Sequence, residues 1–364
     1  MPRRRALGLL AAAFSAPAIG RGAEAWETRA EAACDLLQAA VAEGSLAAAA
    51  VHLRRGSARL DRAFGAAASP EALFLLGSIT KPMTAVAAMI LVDRGEWQLD
   101  EPVVRHLPEF SEGARSRVTL RQLLNHTSGL PDQLPENDAL RARHAPLSEF
   151  VAGAARTPLH FEPGTRYQYQ SMGTLLAAEA VERISGEALP DFLEREVFEP
   201  FGMARSALGT GKFQLEELVR AQTEHAAPES GAGDPTARDW DWNSPYWRRL
   251  AAPWGGAHAS AGDVARFLEA VARADGHVLS PGSAREMLRN QTPGLGVRRG
   301  LGFALGPEGF GRGASASSFG HTGSTGTIAW TDPESDTTCV ILTSLPRRVS
   351  GDRLLVPACD LVSV

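Results

Sequence analysis

The sequence predicts an α/β (α+β) fold: one antiparallel sheet built from both chain ends, flanked by helices, with a mostly helical subdomain inserted between them. Three observations point there. Two strand-like segments around a glycine turn stand near the start, at 46–67. Short apolar segments with Gly or Asp-Pro punctuation crowd 300–345. From about 100 to 290 the apolar residues recur at helical spacing instead. The expected division is 24–100 with 295–364 for the α/β subdomain and 101–294 for the helical one. An active site would lie in the cleft between the two parts.

The chain of 364 residues, 44% hydrophobic, carries enough apolar material for such a core. Its formal net charge of -5 argues against a nucleic-acid partner, which would want a basic face. The first 23 residues, MPRRRALGLLAAAFSAPAIGRGA, show a basic cluster, an apolar run and small residues, the pattern of a secretory signal peptide. The run is short and broken by Pro17, so it makes a poor membrane span. The expectation is cleavage and export, to a periplasmic or extracellular location, with no stable membrane insertion afterwards. Arg3, Arg4 and Arg5 leave a twin-arginine route open beside the general one. An uncleaved anchor is the alternative.

Taken in order, ETRAEAACDLLQAAVAEG reads as a helix stopping at Gly44. LAAAAVHLRRG and ARLDRAFGAA read as strands around Gly56. SITKPMTAVAAMILVDRGE is a largely apolar helix ending at Gly95; Pro82 falls in its first turn, where no intrahelical N–H bond is lost. TLRQLLNHTSG, LSEFVAGAAR, SMGTLLAAEAVERISG and SAGDVARFLEAVARADG follow as helices. Ser260 and Asp263 suit a capping box for the last, and Ser280 with Pro281 opens another helix, SPGSAREML. GLGFALG, SSFGHTG, TGTIAWTDP and TTCVILTSL are the closing strands. Cys34, Cys339 and Cys359 show neither CxxC nor metal spacing. Buried thiols are the expectation, with a Cys34–Cys359 disulfide open if the chain ends meet.

One short stretch carries chemistry. Of 37 basic residues only Lys81 and Lys212 are lysines, and Lys81 stands one helical turn after Ser78. At that spacing both side chains share a face, and the start of a helix puts positive partial charge beneath Ser78. A serine hydroxyl becomes a nucleophile when a neighbour takes its proton. Arginine holds its proton too firmly, whereas a buried lysine releases it. Ser-x-x-Lys alone is a weak pattern, and chance is the competing reading. No HExxH, Walker A, GxSxG or opening GxGxxG occurs, and the histidines are scattered, so neither cofactor nor metal is expected.

GSITKPMTA, LRQLLNHTSGLPD, PGTRYQYQSMGTLLA, WGGAHASAGDVARFL and FGHTGSTG stand in the order and rough spacing of the class C β-lactamase-related serine hydrolases. The chain resembles that family over roughly 27–345. The family includes β-lactamases, DD-peptidases, D-aminopeptidases and carboxylesterases of a β-lactamase/transpeptidase-like fold. The resemblance implies Ser78 as the acylated nucleophile, Lys81 as its proton acceptor, and Tyr169 as the phenol that relays protons to the leaving group and activates the deacylating water. His321, Thr322 and Gly323 stand where the family has Lys-Thr-Gly, with Gly323 letting the strand approach the substrate. The backbone N–H groups of Ser78 and Ser324 would form the oxyanion hole. Gln133 resembles a glutamine that binds the substrate amide.

Two residues depart from the family pattern. Ser171 replaces an asparagine, so Lys81 would be held less firmly. His321 replaces a lysine, which removes a permanent charge and tilts the expectation toward neutral esters or amides. If His321 takes part, the rate should follow an ionisation near neutrality. Arg347 and Arg348 either restore the charge or sit on a solvated chain end. Trp240, Trp242, Trp247 and Trp254 either wall an acyl pocket or pack a long loop. The expected function is an exported serine hydrolase of small esters, amides or peptides, working through an acyl-enzyme, with esterase or small-peptidase action favoured over β-lactamase. The alternative is a non-catalytic binder of acyl or cell-wall peptide ligands.

Overall fold

The computed structural model describes the backbone of residues 19–364 and the side chains of 24–364. The leader expected at 1–23 lies outside the fully described residues. The strands in chain order are β1 (Ala48–Arg55), β2 (Ala58–Gly65), β3 (Phe74–Leu75), β4 (Ser206–Leu208), β5 (Ala257–Ala259), β6 (Ala304–Leu305), β7 (Phe319–Gly323), β8 (Thr327–Asp332) and β9 (Thr337–Thr343). Six of them form one antiparallel sheet in the order β2-β1-β9-β8-β7-β6, so both chain ends contribute, as the sequence predicts.

Alternation along these strands sorts the side chains between two cores. Ala49, Val51, Leu53, Ile328, Trp330, Cys339 and Ile341 face a smaller core closed by the terminal helices Ile19–Ala42 and Val356–Ser363. Trp26 Nε1 donates to the Val362 carbonyl at 3.1 Å and ties those helices together. Ala48, Ala50, Ala329, Val340 and Leu342 face the larger core on the other side. The ends meet, yet Cys34, Cys339 and Cys359 are free buried thiols. Trp330 Nε1 donates to Cys359 Sγ at 3.3 Å.

The helix Thr80–Asp93 runs through the larger core with every residue from Thr80 to Leu91 buried. It is apolar all round because protein surrounds it. Helices Leu147–Arg156, Met172–Ser185 and Ala261–Arg273 occur where the spacing predicts them. The segment 119–129 is helical only over Leu120–Leu124, with Thr119 and Gln122 forming a reciprocal cap. His126 then takes a left-handed φ of 65° and turns the chain. The box expected at Ser260 is half formed. Ser260 Oγ accepts from Asp263 N at 3.2 Å, but the Asp263 carboxylate instead takes Arg205 N and Ser206 Oγ.

A second sheet, β3-β5-β4, has no counterpart in the sequence expectations. It holds the segment before Ser78 against the Trp254–Ala259 stretch. Leu76 N donates to Ala257 O at 2.8 Å, Ala257 N to Thr80 Oγ1 at 3.1 Å, and Thr84 Oγ1 to Pro253 O at 2.7 Å. Among the described residues no helix is long and apolar enough to cross a membrane.

Candidate active site

Ser78 lies in a 3-10 turn, Gly77–Ile79, that leads directly into the buried helix. Two devices fix that turn against β7 and the residues after it. Thr325 Oγ1 donates to Leu75 O, and Thr327 Oγ1 to Leu76 O, each at 2.7 Å. Gly77 has φ 55°, and a side chain there would meet Thr325 Oγ1 at 2.9 Å and the Ser324 amide nitrogen at 3.2 Å. Gly323 has a packing reason of its own. A Cβ on it would stand 2.2 Å from the Leu76 carbonyl oxygen, so glycine here admits the nucleophile's own turn.

Lys81 Nζ lies 3.0 Å from Ser78 Oγ and 3.0 Å from the Trp254 carbonyl oxygen. Burial, opposed by Asp132 and aided by Arg299, pulls its pKa down to about 7. The amine is therefore close to half neutral at neutral pH. Ser171 does not hold it. The Ser171 hydroxyl donates to Asp132 Oδ1 at 2.6 Å, and the Trp254 carbonyl anchors the lysine in its place.

Tyr169 reaches Ser78 from another element. Its segment is hung on the turn after Leu124: Gln168 N donates to His126 O at 3.0 Å, and Ser128 Oγ to Gln170 Oε1 at 2.6 Å. The phenol is pushed above its usual pKa by burial, although the nearby Ser78 hydroxyl pulls the other way. It is a neutral phenol at any working pH. Lys81 Nζ sits 4.9 Å from the centre of its ring.

His321, buried on β7, has its ring centre 6.0 Å from that of Tyr169. Its Nδ1 donates to Thr322 O at 2.7 Å, so Nε2 carries the lone pair, and Nε2 is buried without a partner. Burial, with Arg299 and Lys81 nearby, holds its pKa well below the usual range. Of the two groups, Lys81 and not His321 has its pKa near neutrality.

Ser78, Tyr169 and His321 line a cleft of about 490 Å³, together with Gln133, Ser171, Thr322 and Ser324, and Lys81 lies buried behind Ser78. Arg347 also lines it, and Arg348 does so while donating to Ala226 O at 2.9 Å. Trp242, Trp247 and Trp254 line the cleft, whereas Trp240 packs behind. Four nearby residues had no role in the sequence reading. Arg299 lies 5.5 Å from the ring centres of both Tyr167 and Tyr169 and donates to Tyr167 Oη at 2.9 Å. His126 lies 4.7 Å from the Tyr169 ring, with both ring nitrogens unpartnered and its pKa well below the usual by burial. Asp132 and Arg141 complete the set. Asp132 adjoins Gln133 and His126 lies in a quoted landmark, but nothing local marks Arg141 or Arg299. Among the described residues no cluster suits a metal ion.

The arrangement matches known proteins. A family model described as Beta-lactamase covers residues 34–356. The chain is 34% identical over 283 residues to "Esterase EstB" of Burkholderia gladioli, covering 70% of each chain. It is 32% identical over 284 residues to "Penicillin-binding protein 4" of Amycolatopsis lactamdurans, covering 72% of this chain and 71% of that one. Among solved structures, "EstCE1, a hydrolase with promiscuous acyltransferase activity" superposes with a TM-score of 0.76 at 22% identity, over 94% of this chain and 100% of that one. The D-amino acid amidase from Ochrobactrum anthropi SV3 complexed with D-phenylalanine gives 0.73 at 25% identity, over 92% and 98%. The chain belongs to the beta-lactamase family and is a serine hydrolase of the β-lactamase/transpeptidase-like fold.

Proposed function

We propose that the protein hydrolyses small esters or amides through an acyl-enzyme on Ser78, with esterase or small-peptidase action favoured over β-lactamase action. The observation that carries this is the 3.0 Å contact between Ser78 Oγ and a buried Lys81 whose pKa falls to about 7. Neutral Lys81 takes the Ser78 proton as Oγ bonds to the substrate carbonyl carbon. The Ser78 and Ser324 amides stabilise the oxyanion that appears in the transition state. The carbonyl's bond to the leaving oxygen or nitrogen breaks, and the proton passes through Tyr169 to that atom. Water then attacks the acyl carbon as its proton passes to Tyr169 and the phenol's own proton passes to neutral Lys81, with His321 Nε2 nearby as a hydrogen-bond acceptor. The acid leaves and Ser78 regains its proton. Gln133 and Thr322 line the path of the substrate.

His321 gives no positive charge at working pH, which supports esters and amides over substrates anchored by a lysine at that place. The 34% identity with a protein named an esterase supports the same choice. We further propose export to a periplasmic or extracellular site, on the strength of the first 23 residues. Intact mass of protein from periplasmic and cytoplasmic fractions tests it: the protein should be found in the first, without its leader. The activity is tested by turnover of an activated short ester, a chromogenic cephalosporin and a D-Ala-D-Ala peptide side by side. Ester or peptide turnover lost in Ser78→Ala supports the reading. Turnover confined to the cephalosporin refutes the stated preference.

A further inference from the structure

Arg141 belongs to the short helix Asn137–Ala142 and is 2% exposed, yet it lines the cleft that holds Ser78. Its guanidinium lies 4.2 Å from the ring centre of Trp247 and 4.9 Å from that of Trp240. Nη1 donates to Glu229 O at 2.9 Å, and Nη2 to Trp240 O at 3.4 Å. Nε is buried with no partner. Among the described residues no carboxylate stands within 4.0 Å of it, although ion pairs are plentiful elsewhere in the molecule. Burial lowers its pKa to about 10, while Tyr246, Asp138, Asp241 and Glu229 partly oppose, so it remains a cation at neutral pH.

A buried cation is costly unless hydrogen bonds and an opposite charge compensate it. Arg248 shows how the same fold solves that problem where no ligand is involved. It too is buried without a carboxylate, but its Nε, Nη1 and Nη2 reach Trp242 O, Leu218 O, Val219 O and Asn243 Oδ1, and it does not line the cleft. Arg141 is left with a buried Nε–H that no group accepts, on a side chain that lines the cleft.

Its end of the cleft is also assignable. Tyr169, the group that passes a proton to the leaving atom, is surrounded by His126, Arg299 and His321. Arg141 is surrounded by indoles: Trp247 packs on Trp254, whose carbonyl holds Lys81. Lys81 lies between the two, 4.9 Å from the Tyr169 ring centre and bonded to the Trp254 carbonyl. The leaving group occupies the first, which leaves the second to the acyl part.

We propose that Arg141 binds a carboxylate carried on the acyl part of the substrate, so that the preferred substrates are half-esters or half-amides of dicarboxylic acids. The methylenes of such an acyl chain lie along the tryptophan wall, and the distal carboxylate receives the free guanidinium N–H groups. This rests on Ser78 being acylated.

The test measures acylation of Ser78 and kcat/KM for p-nitrophenyl half-esters of succinic, glutaric, adipic and suberic acids, each against the neutral ester of matching length. The expected result is a half-ester preference of about tenfold to a hundredfold at one chain length. That ratio falls toward one in Arg141→Met, falls less in Arg141→Lys, and survives in Arg299→Gln and Arg347→Gln. Should Arg141→Met not fold, the Arg141→Lys ratio and the two control variants decide. No preference at any length, or one that outlasts the loss of Arg141, overturns the proposal while the neutral esters still report a hydrolase. Acylation by neither ester type overturns both readings.

Discussion

Replacing Lys81 by arginine keeps the charge and removes the ability to lose it, which isolates the step on which catalysis turns. A lysine at its ordinary pKa of 10.5 is neutral in only about one molecule in three thousand at pH 7. With the pKa at about 7, roughly half the molecules carry a neutral amine beside Ser78. The buried setting therefore raises the competent fraction by about a thousandfold. Arginine has no accessible neutral form, so Lys81→Arg should lower kcat/KM for p-nitrophenyl butyrate by about a thousandfold or more. In the native enzyme the acylation rate should rise with unit slope below pH 7 and level off above it, being about 1% of its plateau at pH 5. Pre-steady-state release of p-nitrophenol from pH 5 to 9 reads the acylation step apart from deacylation. A variant retaining more than about a tenth of native activity would refute the reasoning. So would a profile without an ionisation between about pH 6 and 8.

Asp132→Asn removes a charge that raises the Lys81 pKa, and Arg299→Gln one that lowers it, so the acid limb of that profile should move down in the first and up in the second, by up to about one unit. Lys81→Met should stabilise the fold most at low pH. The folded pKa lies below the unfolded one, so the unfolded chain binds more protons between about 7 and 10.5, and native stability rises with pH across that window; below it the penalty is roughly 4 to 5 kcal/mol, which the methionine avoids. Urea melts at pH 6 and pH 10 should show the variant's advantage shrinking at the higher pH. His321→Gln should slow deacylation while leaving the ionisation near 7 in place, because that proton is on Lys81; a variant that loses the ionisation contradicts the assignment. Gly323→Ala forces a Cβ to 2.2 Å from the Leu76 carbonyl oxygen and should cost about 2 kcal/mol or more in denaturant unfolding, along with activity.

The sheet was legible because turn residues punctuate its strands, Gly56 between the first two and Asp332-Pro333 closing TGTIAWTDP, whereas Ala48 to Val51 is buried on both faces and shows no alternation. The smaller sheet was not, since strands of two or three residues are too short to display a period. Ser78 and Lys81 could be paired from spacing alone, because one helical turn suffices to bring them together. What holds Lys81 could not, because the Trp254 carbonyl is backbone 173 residues away and carries no side-chain signature. The same holds for Arg141 and Arg299, whose importance comes from what surrounds them after folding. His321 was read at its reference pKa, and burial beside Arg299 and Lys81 takes its ionisation out of the neutral range. The Ser171 substitution looked like a loosened lysine, but the hydroxyl turned to Asp132 instead.

Mass spectrometry of the protein trapped during turnover of a slowly deacylating ester reaches the core of the mechanism with least inference. One acyl group should appear on the peptide containing Ser78, at a rate that grows as the solution passes from pH 6 to pH 8, and Ser78→Ala should show none. An adduct on a different residue, or steady turnover with no adduct under rapid quenching, would contradict a hydroxyl made reactive by a neutral amine at its side.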